Sequence, residues 1–372
     1  MEIMPANSDL CFIRIQEDEL DPGPLPVPFH DSTMGPFTHW KLPWLRLTAD
    51  DGLVGQAPAA LHPLVRGLLL KEHHDLPGWW HRAFWALRNN GHRNPQTSSC
   101  ISALDMAGCD ILAQRCGLSW HRFMQAKRNA VPVYGSGGGT NLTIEQLTAE
   151  MRDLVRCGFT TVKMKVAKDF GAKPDEDVER VRAVREAVGN AVGLAVDANQ
   201  AWDSGQALAF ARRIADLNIA WFEEPVHSAD RAALHELCSA CPIPVAMGES
   251  ENHWLGFRDL AECGVAHLQP SPHGLPGYTA WSEAVAFAEK SGRQWSSGGY
   301  SHLTALYVAT RDGGVVEYLR AIIGHLATCF LLKPAIEHGM IQLPETPGLP
   351  VRVDWERLNA RGAVRTLWDE CA

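Results

Sequence analysis

The chain has little of what a membrane, a nucleic acid or a disulfide framework demands. No apolar run approaches the roughly 20 residues that cross a bilayer. Positive charge is in deficit, with 34 Lys and Arg against 43 Asp and Glu and a formal net charge of −9. A phosphate backbone calls for a basic face, so nucleic acid is excluded as the main partner. The opening Met1-Glu2-Ile3-Met4-Pro5 has no basic stretch followed by an apolar core. No secretion signal is read there, and a cytoplasmic enzyme is the expectation. The ten cysteines are scattered, and Cys238-Ser239-Ala240-Cys241 is the single Cys-x-x-Cys. With no second pair or His pair at metal spacing, it reads as two reduced thiols at a helix end. Gly135-Ser136-Gly137-Gly138-Gly139 lacks both the Gly-x-Gly-x-x-Gly spacing and the following acid of a dinucleotide fingerprint.

What is present is a regular series of acids. Three short apolar runs end in a carboxylate: Leu194-Ala195-Val196-Asp197, Ala220-Trp221-Phe222-Glu223 and Val245-Ala246-Met247-Gly248-Glu249. Asp197, Glu223 and Glu249 follow one another at intervals of 26 residues. That pitch fits one strand, one helix and two loops, so the acids are placed at the C-terminal ends of successive parallel strands, where a barrel gathers its active site. Three carboxylates at one point repel unless a cation lies between them. A hard, oxygen-only set with positions left for water suits Mg2+ better than zinc. Asn199 and Glu224 stand beside them as supporting or alternative ligands.

Upstream, Lys163 and Lys165 are two apart in Val162-Lys163-Met164-Lys165-Val166, so a strand would point both to one face. Paired ammonium groups lower each other's proton affinity, which makes one of them usable as a general base. Alone, Lys-x-Lys is more often a solvated strand edge.

Three regions are read. Residues 1–128 form an α+β capping domain with strands, a hairpin at Asp51-Gly52 and helices over 60–128. Residues 129–335 alternate short apolar runs with amphipathic stretches at 143–157, 175–188, 204–217, 229–240, 254–263 and 279–291, which implies a parallel sheet closed into a barrel. Residues 336–372 are strand-like and expected to pack back on the cap. The His- and Trp-rich stretch from Glu72 to His81 reads as a packing cluster.

The order of motifs resembles the enolase superfamily and its mandelate racemase-like group. Lys163-Met164-Lys165, Asp197-Ala198-Asn199-Gln200, Trp221-Phe222-Glu223-Glu224-Pro225, Met247-Gly248-Glu249 and Ser301-His302-Leu303 carry the resemblance. It implies an α/β fold, a modified (β/α)7β TIM barrel whose N-terminal cap is completed by the C-terminal segment. It also implies one Mg2+ on Asp197, Glu223 and Glu249, and a small carboxylate substrate. Lys165 would be the base, Lys163 and Glu317 would meet the substrate carboxylate, and His302 would act from the opposite face. Tyr134, Asn199 and Ser271 are the expected substrate contacts, with capping loops 15–40 and 73–95 setting specificity. A homo-oligomer is expected from the same likeness.

One departure shapes the reading. The family's histidine is paired with an Asp at the preceding strand end, and here that place holds Ser271. A hydroxyl orients and charges an imidazole far less than a carboxylate does. One good base and one proton donor suit a hydro-lyase acting on an acid sugar, with His302 protonating the departing hydroxyl. Racemisation, cycloisomerisation and a non-catalytic metal- and acid-binding role are the alternatives.

Overall fold

The computed structural model describes residues 8–90 and 95–372. Residues 1–5, read above for a leader, and 91–94, part of the expected loop 73–95, lie outside the described residues.

Eight parallel strands close on themselves: Ala130–Gly137, Thr161–Lys165, Gly193–Asp197, Ile219–Glu223, Val245–Met247, His267–Leu268, Gln294–Ser297 and Val315–Leu319. The eighth pairs back on the first, Glu317 opposite Tyr134. Each of the seven connections carries a helix, the longest being Pro174–Val188 and Gly277–Lys290. Helix starts are written locally. Thr143 with Gln146, and Asp203 with Gln206, form reciprocal capping boxes that satisfy otherwise orphaned donors.

Strand alternation builds the interior. Val162, Met164, Leu194 and Val196 are buried in the main core with the surrounding helices. The intervening residues face inward, where Tyr134, Ala195, Trp221 and Ala246 pack as a separate small cluster. The same alternation brings Lys163, Lys165 and Asp197 to the inner face.

The glycine-rich segment is strand over its first three residues. The first barrel strand continues to Gly137, because the helix Ile144–Arg156 packs too close for side chains. A Cβ at Gly137 would lie 2.6 Å from a Glu150 oxygen, and one at Gly135 would lie 3.0 Å from Leu154. The chain turns only at Gly138, with φ at +63°.

The cap is an antiparallel sheet in the order Val364–Cys371, Leu10–Leu20, Leu42–Ala49, Val54–Ala57. The C-terminal strand therefore completes the cap, as expected. The hairpin of Ala335–Glu337 and Met340–Gln342 goes elsewhere, pairing with the start of the first barrel strand. That strand is longer than its neighbours, and the hairpin covers the edge they leave open. The His- and Trp-rich stretch packs as expected: Trp79 is buried and donates to the Leu10 carbonyl at 3.0 Å, while Trp80 ties the cap to the barrel through the Pro276 carbonyl at 2.7 Å. All ten cysteines are free, with Cys238 and Cys241 at the end of the helix Arg231–Ala240. No helix among the described residues is long and apolar enough to cross a membrane.

Candidate active site

Five barrel strands deliver charge to one end. Lys163 is central. Its Nζ contacts Glu223 Oε1, lies 2.8 Å from Glu317 Oε1 and 3.2 Å from Asp197 Oδ2. Lys165, one strand position nearer the mouth, reaches the same Asp197 oxygen at 2.6 Å. Lys163, Asp197 and Glu223 are buried, whereas Glu249 is exposed and Glu317 half-buried. The charged group is thus reached from the Glu249–Glu317 side.

Carboxylate oxygens of Glu223, Glu249 and Glu317 lie within 4.8 Å of one another. Asp197, expected in that set, stands one lysine away, its Oδ2 shared by Lys163 and Lys165. Four acids therefore face two lysines. The strain of this surplus is visible in proton affinities. Burial pushes Glu223 up to about 8 despite Lys163, with Asp197, Glu317 and Glu249 adding to the rise. Desolvation by the surrounding protein, with Glu317 and Glu224, raises Glu249 to about 7. Asp197 goes the other way: burial would raise it, but Lys165 and Lys163 outweigh burial and hold it well below the carboxylate range. A divalent cation would balance the excess of two negative charges, and an all-oxygen set matches a hard ion.

The two lysines behave differently from the sequence expectation. Burial lowers Lys165 and so does Lys163, but Asp197, with Glu317 and Glu249, outweighs both and leaves the ammonium raised. Mutual repulsion is present, and a carboxylate at hydrogen-bond distance wins.

Supporting residues escaped the sequence reading. Glu223 Oε2 accepts from Gln269 Nε2 at 2.6 Å and from Trp221 Nε1 at 3.0 Å. Trp221 was legible, being two residues before Glu223 on one strand and hence on the same face. Gln200 donates to Glu224 at 3.0 Å and to Ser250 at 2.7 Å. Asn199 and Glu224 adopt φ of +42° and +40°, a left-handed backbone that non-glycine residues rarely hold without such support.

The remaining expected contacts are placed otherwise. Asn199 Oδ1 faces the cap, accepting from the Ser32 hydroxyl at 3.2 Å and tying a capping loop over Asp197. Tyr134 is buried edge-on against Trp221 with Lys163 above its ring, so it forms the floor. Ser271 is buried, and its carbonyl closes a turn with the Gly274 and Leu275 amides.

His302 is not brought to the acids. It lies in the first turn of the helix Ser301–Val308, four residues past Gly298, with its ring edge-on to Tyr318 at 6.3 Å. Tyr318 follows the inward Glu317 on one strand and so points outward. A small cavity there is lined by His302, Leu42, Trp44, Ile323 and Phe330. Neither His302 nitrogen hydrogen-bonds to an acid or lysine of the mouth. Burial, with Lys333, lowers it to about 4, so it is neutral. The strand-end position that does face the mouth is Gly298, where a Cβ would lie 3.0 Å from Glu317 Oε2.

Residues 146–357, more than half of the chain, match the family described as enolase C-terminal domain-like. The chain belongs to the enolase superfamily. Its relatives include those of the mandelate racemase and muconate lactonizing group. It is 29% identical over 353 residues to a 3,6-anhydro-alpha-L-galactonate cycloisomerase of Streptomyces coelicolor, covering 90% of this chain and 95% of that one. It is 29% identical to an L-talarate/galactarate dehydratase of Salmonella typhimurium, over 74% of this chain and 64% of the relative. A crystal structure of a racemase from Streptomyces coelicolor with bound magnesium superposes with a TM-score of 0.84 at 27% identity, covering 94% of this chain and 99% of that one. Lyases and isomerases thus share this superfamily scaffold, and what distinguishes this member must be sought in its own strand ends.

Proposed function

We propose that the chain is a Mg2+-dependent enzyme that removes the proton α to a carboxylate and expels the β oxygen, most simply as an acid-sugar dehydratase. The observation that carries this reading is one-sidedness. Lys163 and Lys165 stand on one side of the acid cluster, while Ser271, Ser297 and Gly298 occupy the facing strand ends, His302 lies edge-on to Tyr318, and His273, edge-on to Tyr300, is pushed down to about 4 by burial and is a poor base. Inverting a stereocentre takes a competent base on each face. Elimination takes one.

Asp197, Glu223 and Glu249 would hold the ion, with Glu317 close enough to Glu223 and Glu249 to share the cluster. When bound, Mg2+ supplies Lewis-acid stabilisation of the ene-diolate. Lys163 sets its ammonium beside the substrate carboxylate and offsets the charge that develops there. Lys165 takes the α proton. With the charges of Asp197 and Glu249 committed to the cation, burial and Lys163 favour the neutral amine of Lys165 and only Glu317 opposes them. The same ammonium can then return its proton to the leaving β hydroxyl on that face. The C–O bond breaks, water departs, and the enol tautomerises to a 2-keto-3-deoxy acid.

A second reading is favoured by the cycloisomerase relative that covers nearly the whole chain. In a 3,6-anhydro acid the β oxygen belongs to a ring, so the same elimination opens the ring and releases no water.

The test is a panel of aldonic, aldaric and anhydro-sugar acids with Mg2+, read by semicarbazide and mass. A carbonyl product one water lighter supports dehydration, and one of unchanged mass supports ring opening. An epimer without a carbonyl overturns both. Lys165→Ala should abolish α-proton exchange with solvent deuterium, and undiminished exchange removes Lys165 as the base.

A further inference from the structure

A second convergence of ligand-type side chains lies in the cap, remote in sequence from every barrel acid. Cys11 stands on the strand Leu10–Leu20. Directly opposite it, in the two-residue strand His73–His74, stands His73; the antiparallel register pairs Cys11 with His73 and Leu10 with His74. Side chains directly opposite in such a pair emerge on the same face. Asp50 opens the hairpin turn, and its backbone N–H donates to the Cys11 carbonyl at 2.9 Å. The Lys71 amide donates to the Phe12 carbonyl at 3.1 Å and fixes the segment leading into His73. Three separate stretches of chain are thereby registered on one residue. The sulfur of Cys11, a ring nitrogen of His73 and a carboxylate oxygen of Asp50 all lie within 4.8 Å of one another.

We propose that Cys11, Asp50 and His73 form a binding site for a borderline-soft divalent cation such as Zn2+, distinct from the oxygen-lined site of the barrel. Thiolate, imidazole and carboxylate are the donors of tetrahedral zinc, and three of them leave one position for water. A hard ion such as Mg2+ selects against sulfur, so the two sites are separated by chemistry as well as by place. Around a tetrahedral ion, ligand atoms stand roughly 3.3–3.8 Å apart, from bond lengths of about 2.0–2.3 Å. Closing from 4.8 Å needs only side-chain rotation, since Asp50 and His73 are exposed while Cys11 is buried and fixed. The nearest cation does not compete strongly for Asp50. Arg115 places its short contact, 2.6 Å, on Asp51 and stands 3.8 Å from Asp50.

The local field points the same way. Burial, then the charges of Asp50 and Glu72, push the Cys11 thiol up. The thiol is protonated at neutral pH, and a bound dication reverses that field and releases the proton to solvent. The ion would fasten the short His73–His74 strand, which has few contacts of its own, to the edge of the cap sheet.

The test uses tag-free full-length protein, stripped with chelator and then held in excess Mg2+ so that the barrel carboxylates are occupied. Titration with Co2+ should give a thiolate-to-cobalt charge-transfer band in the near ultraviolet that saturates at one equivalent per chain and is displaced by Zn2+. The barrel mouth offers only oxygen and nitrogen donors, so the band reports sulfur. It should vanish in Cys11→Ser. His73→Gln and Asp50→Asn change exposed residues that leave the fold intact, and each should weaken Co2+ by tenfold or more. Absence of the band, its survival in Cys11→Ser, or unchanged affinity in both His73→Gln and Asp50→Asn overturns the proposal.

Discussion

Gln269 and Glu223 are joined across the barrel mouth, the amide Nε2 donating to Oε2 at 2.6 Å while Oε1 faces Lys163. A carboxylate with both oxygens claimed is held in one orientation. Removing such a support typically costs about 10–100-fold in metal affinity. Gln269→Leu is therefore expected to weaken Mg2+ by that order with the fold retained, as read by calorimetric titration. Unchanged affinity would show that Glu223 needs no help in pointing.

His302→Leu tests the one-sided reading. The histidine is buried, neutral and packed on the outer face of the barrel wall against Tyr318. Exchange of the substrate α proton should stay within about twofold of the parent, and stability should shift by no more than about 1–2 kcal/mol, because a buried imidazole is traded for an apolar side chain of similar size. A loss of two orders of magnitude in exchange would place His302 at the substrate after all.

Why the sequence misplaced this residue is a matter of position along an element. The acids were legible because Asp197 and Glu223 end their strands and Glu249 follows two residues after its own, and strand ends in a barrel meet at one face. Lys163 and Lys165 were legible because a period of two fixes their common side. The alternation also sorts Glu317 inward and Tyr318 outward. His302 lies past its strand, in a helical turn where each step rotates the side chain by about 100°, so a motif match does not fix its direction. Gly298 was invisible for the opposite reason: it shapes the mouth by lacking a side chain. Gln269 sits beyond the two-residue strand His267–Leu268, too short for periodicity to assign a face.

Gly298→Ala follows from that. The new Cβ would stand 3.0 Å from Glu317 Oε2, so Glu317 must give by a few tenths of an ångström, beside the 2.8 Å contact of its Oε1 with Lys163. A displacement of this size in a reacting site is expected to lower kcat/KM by about three- to tenfold, with little change in Tm. Parent-like kinetics would mean that Glu317 has room to move without consequence.

Proton linkage predicts how the metal stabilises the fold. Glu223 and Glu249 are raised to about 8 and about 7. Below about pH 4.5 they are protonated in the folded and unfolded chain alike. From there up to those values the unfolded chain ionises first, so chelator-treated protein loses stability as pH rises. Asp197 has the reverse sign: depressed in the fold, it contributes stability that is present at neutral pH and lost only in acid. Mg2+ takes up the charge that makes ionisation costly. The gain in Tm on adding Mg2+ should accordingly be larger near pH 8 than near pH 6, measured by scanning calorimetry. A pH-independent gain would mean that these carboxyls titrate normally.

The strand Val364–Cys371 is sewn to Leu10–Leu20, with Arg14 gripping Asp369 across a separation of 355 residues. In folding, the barrel can close on strands that are neighbours in the chain while the outer seam of its lid is still missing. Pairing so distant in the chain is slow to find, so the enclosure over the charged mouth is the late event in folding, preceded by a barrel with an unfinished roof.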